Sequence, residues 1–185
     1  MEKKILILML FGVFFCQQVL ANEEERFVEH SCEPVDERNY CVDANGEPLE
    51  GKIYTPWPDG GYKAIINYKN GYADGLATYF NDQGKPIERV YYKSGIKNGM
   101  DKIYYANRTI KVWANYKNGK LDGWQNFFTP QGRQQGKMYY KSGKLTDGFC
   151  ISYNNKRRQK MYLTAEQKEQ NEDNQLFFCS AEEQK

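Results

Sequence analysis

The sequence predicts an all-β fold, an elongated single-layer antiparallel β-meander of repeated hairpins. Three observations carry that expectation. First, Tyr-Lys-Asn/Ser-Gly occurs at 68–71, 92–95, 116–119 and 140–143, each copy 24 residues after the last. Second, the stretches between turn signals are runs of five to seven residues rich in Tyr, Phe, Ile and Val, a normal strand length. Third, the composition is aromatic without being oily, with 15 Tyr, 16 Gly and a mean hydropathy of −0.84 over 185 residues. Tyrosine serves best where the ring packs and the hydroxyl stays wet. The balance therefore favours a thin sheet of large surface over a thick aliphatic core.

Residues 1–21 read as a secretory signal. Lys3 and Lys4 supply the positive region, Ile5 to Phe15 form an apolar run too short to span a bilayer, and Val19 and Ala21 give a small-residue cleavage signature. Cleavage after Ala21 leaves a mature chain that starts at Asn22, has no transmembrane span, and resides in the periplasm or outside the cell. Residues 22–50 then form an arm with 10 acidic and 2 basic side chains, and this arm contains Cys32 and Cys41.

The array occupies residues 51–163. Asn-Gly at 70–71 and 118–119 supplies the positive φ that tight hairpin turns demand, and Ser-Gly at 94–95 and 142–143 is a weaker equivalent. A second glycine follows at Gly75, Gly99, Gly123 and Gly148, the last step lengthened by Thr146. Aromatic pairs come next, at Tyr79-Phe80, Tyr104-Tyr105 and Phe127-Phe128. Two strands and two turns per unit give a meander of roughly ten strands. Strand alternation puts Ile66 with Tyr68, Val90 with Tyr92, Ala114 with Tyr116 and Met138 with Tyr140 on one face. The other face receives Lys69, Lys93, Lys117 and Lys141. Such a sheet is expected to hold together by cross-strand aromatic packing rather than by a buried interior.

The alternation of G-x-x-x-aromatic-aromatic with Y-x-N-G-x-x-x-G, between about Gly51 and Tyr162, resembles the bacterial form of the MORN repeat (membrane occupation and recognition nexus). Two copies depart from the pattern: Pro56-Trp57-Pro58 replaces an aromatic pair in the first, and Leu163-Thr164-Ala165 stands where the last would continue. The resemblance implies an elongated array used for protein contact and, in some members, for membranes. Many bacterial proteins with this repeat are grouped as YwqK-like antitoxins.

Residues 164–185 form a polar tail with Cys179. Thr164-Ala165-Glu166-Gln167 fits a capping box that starts a short helix through about Asn171, and Leu176, Phe177 and Phe178 would dock on the last strands. Removing the signal leaves four cysteines, an even number that implies two disulfides in an exported chain. Ten strands at ~4.7 Å put the ends of an open array on the order of 40 Å apart, beyond the reach of a bridge. The expected pairs are therefore Cys32–Cys41 and Cys150–Cys179, each pinning a terminal segment over an open edge strand.

Chemistry is not expected. His30 stands alone, no paired C-x-x-C suggests a metal, and the glycines fall at turn spacing rather than in a phosphate loop. Asp74, Asp122 and Asp147 precede turn glycines, where aspartate serves backbone geometry. Two carboxylates facing one cleft, as a glycosidase needs, are not evident. No cofactor, metal or nucleic acid is expected. Residues 51–148 carry 16 basic and 7 acidic side chains, a strip that either attracts anionic partners or keeps an exposed sheet soluble. The expected function is a non-catalytic binding module. Tyr68, Tyr92, Tyr116 and Tyr140 would offer stacking area, and Lys69, Lys93, Lys117 and Lys141 charge, to a protein first, or to a polysaccharide or an anionic lipid surface. The alternative is an antitoxin or immunity-type protein that neutralises a toxin by direct binding.

Overall fold

The computed structural model describes residues 28–154 and 157–169. The signal segment, Cys179 and the Leu176–Phe178 cluster lie outside the described residues. The first elements are β1 (His30–Val35), β2 (Arg38–Asp43), β3 (Gly51–Pro56), β4 (Tyr62–Lys69), β5 (Tyr72–Phe80) and β6 (Pro86–Lys93). They are followed by β7 (Ile96–Tyr104), β8 (Ile110–Lys117), β9 (Lys120–Leu121), β10 (Gly123–Phe128), β11 (Gln134–Lys141), β12 (Lys144–Asn154), β13 (Arg157–Tyr162) and α1 (Ala165–Glu169). Apart from α1, the regular structure of the described residues is all β, a meander of successive antiparallel hairpins. Strands β3 to β8 and β10 to β13 pair in chain order, and β9 extends the pairing of β8.

Local chemistry explains the turns. Asn70, Ser94, Asn118 and Ser142 all have φ near +50, and the glycines after them lie between +76 and +87, the two positive angles of a type I′ hairpin. Each of these turns is then tied to the unit before it. The amide of Gly71 donates to Leu49 O at 3.0 Å, Gly95 to Ala73 O at 2.8 Å, Gly119 to Lys97 O at 2.9 Å and Gly143 to Leu121 O at 2.8 Å. The preceding residue is capped by a side chain 20 positions earlier: Asn70 N–H donates to Glu50, Ser94 to Asp74, Asn118 to Asn98 and Ser142 to Asp122. These acceptors therefore act between hairpins as well as within them.

Register assigns the two faces. On the inner one Ile53, Ile66, Ala77, Val90, Asp101 and Ala114 lie side by side across six strands, and most of them are buried. The expectation that no buried interior exists is corrected here. Val112, Ala114, Leu121, Phe127, Met138, Tyr140, Leu145 and Leu163 form one buried cluster, and Cys41, Leu49, Ile53 and Tyr68 form another. Same-face side chains of neighbouring hairpins cover one another, so one layer supplies its own core. Sequence alternation shows which face a residue takes, but it carries no measure of how closely that face draws together.

The N-terminal arm also differs from expectation. Cys32 and Cys41 are bonded, as expected, with their Cα atoms 4.1 Å apart. They sit directly opposite each other in a separate β1–β2 sheet. That hairpin does not cover an edge strand. Cys41 donates its amide to Gly71 O at 2.8 Å and accepts from Leu49 N at 3.0 Å. Tyr40 meets the Tyr72 ring edge-on at 5.2 Å, and Arg38 lies over that ring at 4.6 Å. The hairpin thus docks on the row of turns, where Gly71 and Gly95 leave room for Tyr40 and Arg38. At the other end Leu163 folds onto Gly148 and α1 contacts β12, with Lys168 Nζ 3.6 Å from Asp147. Cys150 is disulfide-bonded too, and its expected partner Cys179 is not among the described residues.

Candidate functional site

The four tyrosines proposed as a ladder share the inner face. Tyr68 and Tyr140 are buried, Tyr140 to 2% exposure, while Tyr92 and Tyr116 are half-buried. Burial pushes the hydroxyls of Tyr68 and Tyr140 up to about 12, so both stay neutral. Tyr68 and Tyr140 therefore contribute to the core. Tyr92 is hydrogen-bonded to Tyr79, and burial raises both.

Lys69, Lys93, Lys117 and Lys141 are all exposed. Each is the last residue of its strand before a type I′ turn, so repetition places them along one rim, two strand spacings or about 9–10 Å apart. None of the four is in an ion pair among the described residues. Lys69 and Lys93 border an open groove of about 670 Å³ together with Arg38, Tyr72, Asp74 and Tyr92. This groove is where the disulfide hairpin meets the array.

A second constellation was missed from sequence. Lys97 Nζ donates to Asp101 Oδ2 at 2.8 Å and to Glu88 Oε1 at 2.9 Å, and it lies 5.3 Å from the Tyr116 ring centroid. Asp101 is 4% exposed, and its Oδ1 has no hydrogen-bond partner. Burial raises the Asp101 carboxyl above its ordinary value, against the opposing pull of Lys97. For Lys97, burial lowers the ammonium, but the two carboxylates more than offset this and the net shift is upward. The signal for this triad lies in the repeat columns. Asp101 occupies the position of Ile53, Ala77, Gln125 and Cys150, Lys97 that of Leu49, Ala73, Leu121 and Leu145, and Glu88 that of Ala64, Val112 and Gly136. The middle unit alone has three charges in columns that are elsewhere mostly apolar.

The outer face holds a third arrangement. Arg89 pairs with Lys102, Lys102 with Trp113, Trp113 with Asn126, Asn126 with Lys137, Lys137 with Phe149 and Phe149 with Tyr162, which makes one unbroken row across seven strands. Lys102 Nζ is 4.9 Å from the Trp113 ring centroid and Lys160 Nζ 4.5 Å from that of Phe149. Lys137 Nζ lies 4.1 Å over Trp124, whose ring also meets Tyr139 at 5.0 Å. Trp113 is 40% exposed and Tyr162 66%. Sequence alternation places these residues outward, but only cross-strand register shows that they line up.

Among the described residues no group of His, Cys, Asp and Glu could hold a metal ion, and no helix is long and apolar enough to cross a membrane. No family model matches the chain, and no curated protein matches it by sequence. Two solved structures of TarM resemble it at 14% identity, one of them a variant of the S. aureus protein in complex with Fondaparinux, α-GlcNAc-glycerol and UDP. Their TM-scores are 0.25 and 0.24, and each likeness covers 71% of this chain and 21% of TarM. The chain thus spans about a fifth of the length of the protein it matches, and at that score the likeness carries no functional argument.

Proposed function

We propose that this protein is an exported, non-catalytic interaction module of the MORN-repeat type, whose lysine rim engages a partner protein of acidic surface. The observation that supports this reading is the line of exposed cations, Lys69, Lys93, Lys117 and Lys141, none in an ion pair among the described residues and all held at regular spacing by turns locked to one another. Evenly spaced ammonium groups attract carboxylates over a distance and set the rate of encounter more than the final affinity. The groove beside Lys69 and Lys93 adds shape at one end of the line, with the faces of Tyr72 and Tyr92 and the guanidinium of Arg38.

The test is capture from envelope extract by the mature chain, with the wild type compared against a variant carrying Lys69→Glu, Lys93→Glu, Lys117→Glu and Lys141→Glu. A captured protein should be released between low and moderate salt, because exposed charges are screened within roughly 8 Å at physiological ionic strength. The variant should fail to retain it. Retention that survives both the substitutions and the salt would overturn the assignment to the rim.

A further inference from the structure

The outer-face row across β6 to β13 stands on residues other than the rim. Neighbouring positions in it are one strand apart, about 4.7–4.9 Å. A cation followed by a ring occurs at Lys102–Trp113 and again at Lys137–Phe149, three spacings or about 14 Å further on. None of the seven positions in the row is a carboxylate. Lys102, Lys137 and Lys160 each rest on an aromatic ring, and none is in an ion pair among the described residues.

From this register we infer that the outer face binds an acidic polysaccharide laid across the strands, its pyranose rings on Trp113 and Phe149 and its carboxylates on Lys102 and Lys137. The face is periodic, and a polymer with a repeating charge and a repeating apolar ring face is the ligand that matches it along its whole length. The row spans roughly 28 Å, enough for several sugar units. In the free protein the ammonium groups occupy ring faces, a contact of modest strength at an exposed site. A carboxylate draws Lys102 off Trp113, and another draws Lys160 off Phe149, into charge-assisted hydrogen bonds, which frees these two rings for the C–H faces of the sugars, while Lys137 turns from Trp124 to the polymer. A folded protein partner has no cause to follow a straight line across seven strands, and a lipid surface does not call for rings and cations at fixed intervals.

The experiment titrates the full mature chain with polygalacturonate, alginate and hyaluronan oligosaccharides. Dextran serves as a neutral sugar and polyglutamate as an acidic chain without pyranose rings. Calorimetry gives the affinity, and the difference in tryptophan fluorescence between wild type and Trp113→Ala isolates Trp113 from Trp57 and Trp124. At least one acidic polysaccharide should bind with a fluorescence change and dextran should not. Trp113→Ala and Lys137→Gln should each weaken binding about tenfold. Both side chains lie outside the core, and circular dichroism checks that the variants fold. Lys69→Gln with Lys93→Gln should leave sugar binding unchanged, which separates this surface from the rim. The proposal is overturned if none of the three acidic polysaccharides binds, or if dextran binds equally well. It is equally overturned if polyglutamate binds as tightly and Trp113→Ala changes nothing.

Discussion

Asp101 sits between Val90 and Ala114 in the innermost row, a position that other units fill with Ile53 or Ala77. Burying a carboxylate there has a cost that Lys97 only partly offsets. With its folded pKa above the unfolded one, Asp101 lowers stability when ionised, and this penalty vanishes as pH falls to the unfolded value. Asp101→Asn keeps the shape and removes the titration. The stability of that variant relative to wild type should therefore rise as pH climbs above about 4, the ordinary aspartate range, as measured by denaturant unfolding. Replacing the triad with residues borrowed from its sister units, Glu88→Val, Lys97→Leu and Asp101→Ala together, should stabilise the fold by about 1–4 kcal/mol. Lys97→Ala alone leaves two carboxylates facing each other and should cost about 3 kcal/mol, toward the low end for a buried pair because Lys97 and Glu88 are partly exposed. In the linear sequence these charges read as ordinary solvated strand residues. Only a comparison of repeat columns marks them as misplaced, and only the register brings them onto one ammonium.

At the level of elements, the turns were legible because their chemistry is local. Asn-Gly and Ser-Gly carry the positive φ requirement in two adjacent residues, and the strands follow from the spacing between them. The docking of β1 and β2 was not legible, because it depends on backbone groups of Gly71 and Leu49 that any sequence would possess. Gly71 combines φ +76 with a Tyr40 ring packed where a Cβ would go, whereas Gly84 has φ +68 and open space around it. Gly71→Ala should therefore destabilise more than Gly84→Ala, which should cost only the left-handed strain of about 1–2 kcal/mol. Thermal melts of the two variants give the comparison. Cys32→Ser with Cys41→Ser opens a short loop worth about 2–3 kcal/mol in the chain-entropy account. Because the bridge lies wholly within its own two-stranded sheet, amide exchange should quicken across 30–43 while β6 to β12 keep their protection.

For the whole molecule, the 24-residue period survives as a physical unit, each hairpin resting on its neighbours. Excision of residues 120–143 joins Gly119 to Lys144-Leu145, the same residue types that Lys120-Leu121 supply, and preserves the register. Such a shortened chain should fold with the same spectrum and a smaller urea m-value, in proportion to the surface it no longer buries. What the period could not reveal is the draw of the inner face onto itself, since that depends on side chains of neighbouring units meeting in space. The bond from each turn glycine back to a carbonyl 22 residues earlier has a direction: the donor always comes later in the chain than the acceptor. A polypeptide threaded from its N-terminus through a narrow channel would find every acceptor in place before the matching donor emerged. Assembly can then proceed as a ratchet, one hairpin clicking onto the last, with no stage waiting for the far end to arrive.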